Sequence, residues 1–258
     1  MQEPGIRLTW YGTASVRITA GSTQLLIDPF FPLEGSKIRI PANAYSGCSK
    51  ILITHGHFDH IGSIREIVRP GTAVYCTRAP YRSLRRKGVR EEHLHRIKPG
   101  DVLTFGDIRI TVYRGSHIKL RPWYCLKAVF GRRARQNRKD IIRKLLKFAS
   151  CREKKEALCY LAEAYGKRIL ILGSMALAPD TEYPAGADLA LFPYQGSDQL
   201  FAIAKSIYQT IRPKAVLLTH FDDTFPPFSR EVETAGFEHY LKSRAAVYRL
   251  RHGGTIEI

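Results

Sequence analysis

Short apolar runs with strand character alternate along this chain with stretches of helical periodicity. The strand-like runs are rich in β-branched and aromatic residues and are bounded by glycine or other turn residues. They comprise residues 7–11, 14–19, 23–28, 50–54, 73–76, 101–105, 108–113, 157–164, 168–172, 188–192, 215–219, 246–250 and 255–258. Apolar residues recur at helical spacing in residues 61–68, 80–87, 135–149, 200–211 and 230–242. Strands therefore precede and alternate with helices in both halves, which is typical of an α/β protein.

A basic segment at about residues 119–155 interrupts this alternation. The 258-residue chain has a net charge of +18, and residues 127–155 alone contain twelve Lys or Arg against two acidic residues. The apolar stripe of residues 135–149 predicts an amphipathic helix there. We therefore expect a single domain over residues 1–258 with a basic, largely helical insertion. Such a charge favours anionic partners, namely small phosphorylated molecules, nucleic acid or acidic lipid headgroups, so peripheral membrane contact stays open.

The sequence predicts neither a signal peptide nor a membrane-spanning segment. Its first residues lack a charged start followed by an apolar run, and no apolar stretch approaches the length of a membrane span. The five cysteines are odd in number and no pair has CxxC spacing, which argues against a disulfide framework or a cysteine zinc site. A cytoplasmic location is the expectation, whereas the oligomeric state is not indicated.

Four potential metal ligands stand within six residues directly after the predicted strand 50–54. They are His55, His57, Asp59 and His60. Residues two apart in extended chain point to the same side, and the following two begin a predicted helix. Neutral imidazole and carboxylate are preferred ligands of zinc. A solvated histidine-rich turn is the plainer interpretation, but ordinary folding does not require this combination, so the segment predicts a metal centre.

This segment resembles the HxHxDH signature of the metallo-β-lactamase superfamily at all four positions. Similar landmarks follow in order: Asp28 after an early strand, His117 in Gly-Ser-His, and His220 at the end of strand 215–219. The resemblance covers nearly the whole chain outside residues 119–155 and is closest to small single-domain hydrolases such as the ascorbate-6-phosphate lactonase group. It implies a four-layer αββα sandwich with the metals at one edge.

The resemblance also implies how the ligands are divided. The first metal would be held by His55, His57 and His117, and the second by Asp59, His60 and His220. Asp59 would in addition orient or deprotonate the attacking water, and Asp28 would support a ligand from behind. Zinc is the expected metal, as one or two ions, with manganese or iron as other choices.

One position departs from the family pattern. Many members have an aspartate that bridges the two metals where this chain has Ser174. A neutral hydroxyl cannot replace a bridging carboxylate, so we predict that the second metal binds more weakly than the first. A bridging hydroxide, or a carboxylate from Asp222 or Asp223, is a candidate substitute.

These residues predict a hydrolase that uses metal-activated water on an anionic ester, phosphodiester or lactone, with a small anionic or lipid-like substrate. Two other functions stay open. The basic segment fits a nucleic-acid-binding or nucleic-acid-processing protein, although the segment offers few aromatic side chains for base stacking. Ser174 fits a scaffold that has kept the fold and lost full metal chemistry.

Overall fold

The computed structural model of the chain describes residues 5–118, 151 and 156–258. Its strands are β1 (Ile6–Gly12), β2 (Ser15–Ala20), β3 (Thr23–Ile27), β4 (Lys50–Leu52), β5 (Ala73–Cys76), β6 (Leu94–Arg96), β7 (Val102–Phe105), β8 (Ile108–Ser116), β9 (Glu156–Ala164), β10 (Lys167–Ile171), β11 (Leu189–Pro193), β12 (Ala215–Thr219), β13 (Ala246–Tyr248) and β14 (Thr255–Glu257). Its α-helices are α1 (Phe58–Ile61), α2 (Ile64–Ile67), α3 (Arg78–Arg86), α4 (Leu200–Ile211) and α5 (Ala235–Leu241), with a 3₁₀ turn at Glu91–His93.

The strands form two mixed sheets of seven. The first sheet has the order β14-β1-β2-β3-β4-β5-β6, and the second has the order β13-β12-β11-β10-β9-β8-β7. In the first sheet β3, β4, β5 and β6 run parallel to one another. In the second sheet β10 to β13 are likewise parallel. Each sheet therefore brings the carboxyl ends of several neighbouring strands to one edge, where ligands bind in sheets of this kind.

The helices cover the outer faces of the two packed sheets. One core cluster joins residues of both sheets, for example Leu8 with Val112. A second cluster packs Leu84 of α3 against Val74 of the first sheet. On the other side, Phe237 of α5 packs on Phe192 of β11, with their ring centroids 5.7 Å apart. This is the α/β, four-layer αββα arrangement that the sequence predicts.

Two predicted helices differ from the structure, and one strand was missed. The helix predicted at 61–68 is two single turns, α1 and α2, separated at Gly62 and Ser63. The helix predicted at 230–242 begins only at Ala235, whose backbone N–H is already bonded by the Glu233 carboxylate 2.8 Å away. Strand β6 was not predicted, because its three residues are too few for a periodic pattern.

The predicted basic insertion at about 119–155 lies almost wholly outside the described residues, so its helix stays a prediction. None of the helices within the described ranges combines the length and the apolar character that a membrane crossing needs. The described cysteines Cys48, Cys76, Cys151 and Cys159 are all buried.

Candidate metal centre

The histidine-rich segment leaves the first sheet at the carboxyl end of β4 and meets the second sheet there. The Thr54 carbonyl accepts a hydrogen bond from the backbone N–H of Leu158 in β9, at 2.8 Å. The Tyr160 hydroxyl, also on β9, donates to the Ile53 carbonyl at 2.6 Å. These two bonds fix the start of the segment between the sheets, so His55 is positioned by both layers.

The structure brings the first predicted ligand group together. One nitrogen each of His55, His57 and His117 lies within 4.8 Å of the other two. The Nε2 atom of His55 is 3.2 Å from the Nδ1 atom of His57. His55 is buried, and the other two rings are partly exposed, which leaves an opening for water and substrate.

Hydrogen bonds behind two of these rings decide which nitrogen faces inward. The Ile118 carbonyl can only accept, so His117 donates from Nδ1 across 2.7 Å and its Nε2 is unprotonated in the neutral ring. The Thr54 hydroxyl donates to Asp28, at 2.6 Å, so its oxygen accepts from His55 Nδ1 at 3.1 Å. His55 Nε2 is then also unprotonated, as a metal ligand must be.

The second predicted group is also assembled. Ligand atoms of Asp59, His60 and His220 lie within 4.8 Å of one another, and all three residues are buried. Asp59 Oδ2 is 2.8 Å from His220 Nε2 and 3.5 Å from His60 Nε2. Each group takes ligands from both sheets. The segment from His55 to His60 follows β4 of the first sheet, whereas His117 of the first group follows β8 and His220 of the second group follows β12, both in the second sheet.

Asp28 orients the second group from behind. Its carboxylate accepts the Thr54 backbone N–H at 2.8 Å and lies 2.7 Å from His60 Nδ1, with Asp28 itself fully buried. A proton on His60 Nδ1 leaves Nε2 unprotonated in the neutral ring, directed at the Asp59 carboxylate. A lone pair facing a carboxylate oxygen is repulsive unless a proton or a cation lies between them, and this donor set fits a divalent metal.

The surroundings keep the ligands in the forms that bind metals. Burial, followed by the nearby His60 ring, holds the pKa of His55 well below its usual value. Burial and the neighbouring His117 ring lower the pKa of His57 to about 4, and burial also lowers the pKa of His117. Burial opposes ionisation of Asp59, but His60 and His220 outweigh it and leave the pKa of this carboxyl below its usual range.

Ser174 lies beside the first group, where its hydroxyl oxygen accepts the Ile118 backbone N–H at 3.1 Å. It therefore helps to hold the loop that carries His117. The preceding residue must be glycine, since a Cβ at Gly173 would come within 2.2 Å of the Leu158 carbonyl oxygen and 2.8 Å of the Thr54 Cβ. The Gly-Ser pair thus allows the second sheet to approach the base of the histidine segment.

The loop carrying His220 depends on residues that sequence reasoning missed. His220 has a φ of 60°, a strained conformation for a residue with a side chain. Its N–H donates to the Thr13 carbonyl at 2.8 Å, and its own carbonyl accepts from Gln195 Nε2 at 3.0 Å. These contacts hold the residue in place from two separate segments of the chain.

Asp222 extends this support instead of joining the ligands. Both carboxylate oxygens accept the Thr13 N–H, at 3.1 and 3.0 Å, and His252 Nε2 lies 2.8 Å from one of them. The Asp223 carboxylate accepts a hydrogen bond from the Ser229 hydroxyl at 2.7 Å. Asp222 is thus bonded to Thr13 and His252 and does not lie among the clustered ligand atoms of the second group. Its position two residues after His220 was the available signal for a supporting role, whereas His252 gave none.

Comparisons with known proteins agree with this geometry. Residues 23–221 match the family model described as the beta-lactamase superfamily domain. A UPF0173 metal-dependent hydrolase of Chelativorans sp. strain BNC1 is 32% identical over 96 residues, which cover 37% of this chain and 40% of that protein. The chain matches about half the length of the curated relatives.

Two solved structures share the fold along nearly the whole chain. Igni18, a metallo hydrolase from the archaeon Ignicoccus hospitalis, aligns with a TM-score of 0.65 and 19% identity over 98% of each chain. Zn²⁺-bound PqqB from Methylobacterium extorquens aligns with a TM-score of 0.57 and 17% identity over 95% of this chain and 87% of that one. With the family match, the fold and the two histidine-centred groups, this chain belongs to the metallo-β-lactamase superfamily.

Proposed function

We propose that this protein is a metal-dependent hydrolase that cleaves an anionic ester, phosphodiester or lactone. The observation that carries the proposal is the pair of ligand groups, in which hydrogen bonds behind His55, His117 and His60 leave their inward-facing nitrogens unprotonated. The relatives named as metal-dependent hydrolases support the same reaction class. Zinc is the metal we propose, supported by the donor set and by the zinc-bound neighbour PqqB.

A zinc ion bound at the first group would lower the pKa of a water molecule and so supply a nucleophile near neutral pH. His55, His57 and His117 would hold that ion. Asp59 is ionised, so it would orient the attacking water and accept its proton. Asp59, His60 and His220 would hold a second ion, which would stabilise charge on the leaving or carbonyl oxygen, and Asp28 would keep His60 in the required tautomer.

The Ser174 hydroxyl bears on the relative strength of the two groups. Two divalent ions close together repel each other, and a bridging carboxylate would offset that repulsion. Here the neutral hydroxyl accepts a hydrogen bond from the Ile118 N–H, and the Asp222 carboxylate is hydrogen-bonded to Thr13 and His252. We therefore propose that the first metal binds tightly and the second more weakly.

Metal analysis combined with hydrolysis assays tests the proposal. Zinc content is measured by elemental analysis while a panel of phosphodiesters, lactones and thioesters is assayed with and without a chelator. His57→Ala should abolish hydrolysis, whereas His239→Ala, which removes an exposed histidine on α5, should leave it unchanged. Full activity in folded His57→Ala protein, or equal activity after metal removal, would contradict the proposed function.

A further inference from the structure

A cleft lined by arginines lies at the same sheet edge as the metal centre. Its volume is about 880 Å³, and it is bordered by Arg78, Arg82, Arg85, Arg86 and Arg96 together with Tyr81 and Glu156. We propose that this cleft binds a polyphosphate group of a small substrate, whose scissile bond then reaches the metals. The proposal rests on the proposed function and specifies its substrate class.

Topology brings the cleft next to the metal ligands. Strands β4, β5 and β6 are parallel neighbours in the first sheet. The histidine segment follows β4, Arg78 begins α3 two residues after β5, and Arg96 ends β6. Neighbouring strands are about 5 Å apart, so the cleft begins within about one or two strand spacings of the ligands.

The second sheet provides an independent link between the two sites. Glu156, which borders the cleft, is paired directly with Ser116 in the antiparallel ladder of β8 and β9. Ser116 immediately precedes His117 of the first ligand group. The cleft therefore extends along the metal edge toward a ligand of the first metal.

The arginines on α3 form one charged face. Arg78, Arg82 and Arg86 are four residues apart and so lie above one another on the helix. The opposite face is buried through Pro80, Ser83 and Leu84, whereas these arginines are exposed. Repulsion between like charges at this spacing disfavours the helix, so folding alone gives no reason for the stripe.

Most of this positive charge is not balanced nearby. Arg85 pairs with Glu91 at 3.2 Å. Among the residues that the structure describes, no carboxylate lies within 4 Å of the guanidinium groups of Arg78, Arg82, Arg86 or Arg96. The planar guanidinium forms paired hydrogen bonds to phosphate oxygens, which makes an arginine cluster a suitable site for a multiply charged phosphate group.

The size of the cleft and its side chains favour a small ligand over a polymer. A volume of about 880 Å³ lies within the range of small-molecule sites. Among the described residues that line it, Tyr81 is the aromatic one, and its ring is covered by Arg96, whose Cζ is 5.9 Å from the ring centroid. Successive base stacking, which single-stranded nucleic acid uses, would need more aromatic rings than this.

The test uses full-length, zinc-loaded protein and two charge-matched variants. Arg78→Gln with Arg82→Gln removes two charges from the cleft. Lys205→Gln with Lys242→Gln removes two from α4 and the end of α5, which cover the other sheet. Calorimetric titration with inorganic tripolyphosphate should show affinity lowered by about tenfold or more in the cleft variant, and by less than about twofold in the control. Both variants keep the metal ligands, so metal–phosphate contacts cancel between them.

Equal weakening in both variants would overturn the proposal, since it would mean general charge attraction. So would a single-stranded oligonucleotide that binds the cleft more tightly than tripolyphosphate at the same salt concentration. Hydrolysis of bis(4-nitrophenyl) phosphate, which has no polyphosphate group, is measured with the unaltered protein as a separate test of the metal centre. A complete absence of that hydrolysis would count against the proposed function alone, because the titration still decides on the cleft.

Discussion

Replacing Asp28 by Asn should reverse the protonation of His60 without removing any atom from the core. In the native protein the carboxylate accepts the Thr54 N–H at 2.8 Å, the Thr54 hydroxyl at 2.6 Å and the His60 Nδ1 proton at 2.7 Å. The backbone N–H cannot change its role, so the amide oxygen must stay opposite it. The amide NH₂ then faces the hydroxyl and the ring.

The consequence falls on the far side of the His60 ring. Facing a donor, Nδ1 becomes the acceptor and the proton moves to Nε2, which is the atom directed at Asp59 3.5 Å away. A protonated nitrogen cannot bind a metal. Loss of such supporting contacts weakens metal binding by about 10- to 100-fold, or roughly 1–3 kcal/mol. The second zinc equivalent should weaken by this amount. The first should weaken as well, because the Thr54 hydroxyl then faces the amide NH₂ and donates to His55 Nδ1 instead, which places a proton on His55 Nε2.

Calorimetric zinc titration with elemental analysis measures the two equivalents separately. Asp188→Asn is a matched control, because that carboxylate also accepts a backbone N–H, from Arg168 at 2.8 Å, but it lies away from the ligands. Urea unfolding of the metal-free proteins reports the cost to stability. An unchanged second equivalent in folded Asp28→Asn protein would refute the tautomer argument.

Three further results are expected. Metal-free protein should lose stability as the pH falls from about 6.5 to about 4, because the unfolded chain protonates His57 before the folded one does. That ring contributes about 3 kcal/mol of the loss in the free energy of unfolding, which urea unfolding measures. A stability that does not change over this pH range would contradict the prediction. Ser174→Asp should tighten the second zinc equivalent relative to Ser174→Ala in the same titration; two equivalents bound equally tightly by the native protein would show that the serine costs nothing. His252→Ala should weaken the second equivalent while sparing the first, because His252 supports the His220 loop through Asp222; equal weakening of both would point to general damage to the fold.

The sequence predicts the sheets well and the supporting contacts poorly. Strands such as β12 are short, apolar and bounded by turn residues, so their local pattern is sufficient. The ligand segment is likewise local, because His55 to His60 form a recognisable motif within six consecutive residues. The Thr13 contact with Asp222 joins residues 209 apart, and the His252 contact with Asp222 joins residues 30 apart. These residues lie in loops without periodicity. No local pattern encodes such contacts.

Helix boundaries show the same limit. The apolar spacing of residues 61–68 fits one helix, but the structure breaks it at Gly62 and Ser63, where the Ser63 hydroxyl accepts the Phe31 N–H at 2.9 Å. That bond to another loop holds Ser63 in place and could not be inferred from spacing. Tertiary contacts thus decide the ends of elements whose existence the pattern predicts.

The ligands' separation along the chain sets when a metal can act during folding. Asp59 and His220, which meet at 2.8 Å, are 161 residues apart, so their group exists only after the two sheets have docked. In the unfolded chain the short segment from His55 to His60 can capture zinc, but it does so without the native partners. Zinc should therefore slow unfolding of the finished protein and leave its folding rate nearly unchanged, since stabilising contacts formed after the transition state act on the unfolding rate.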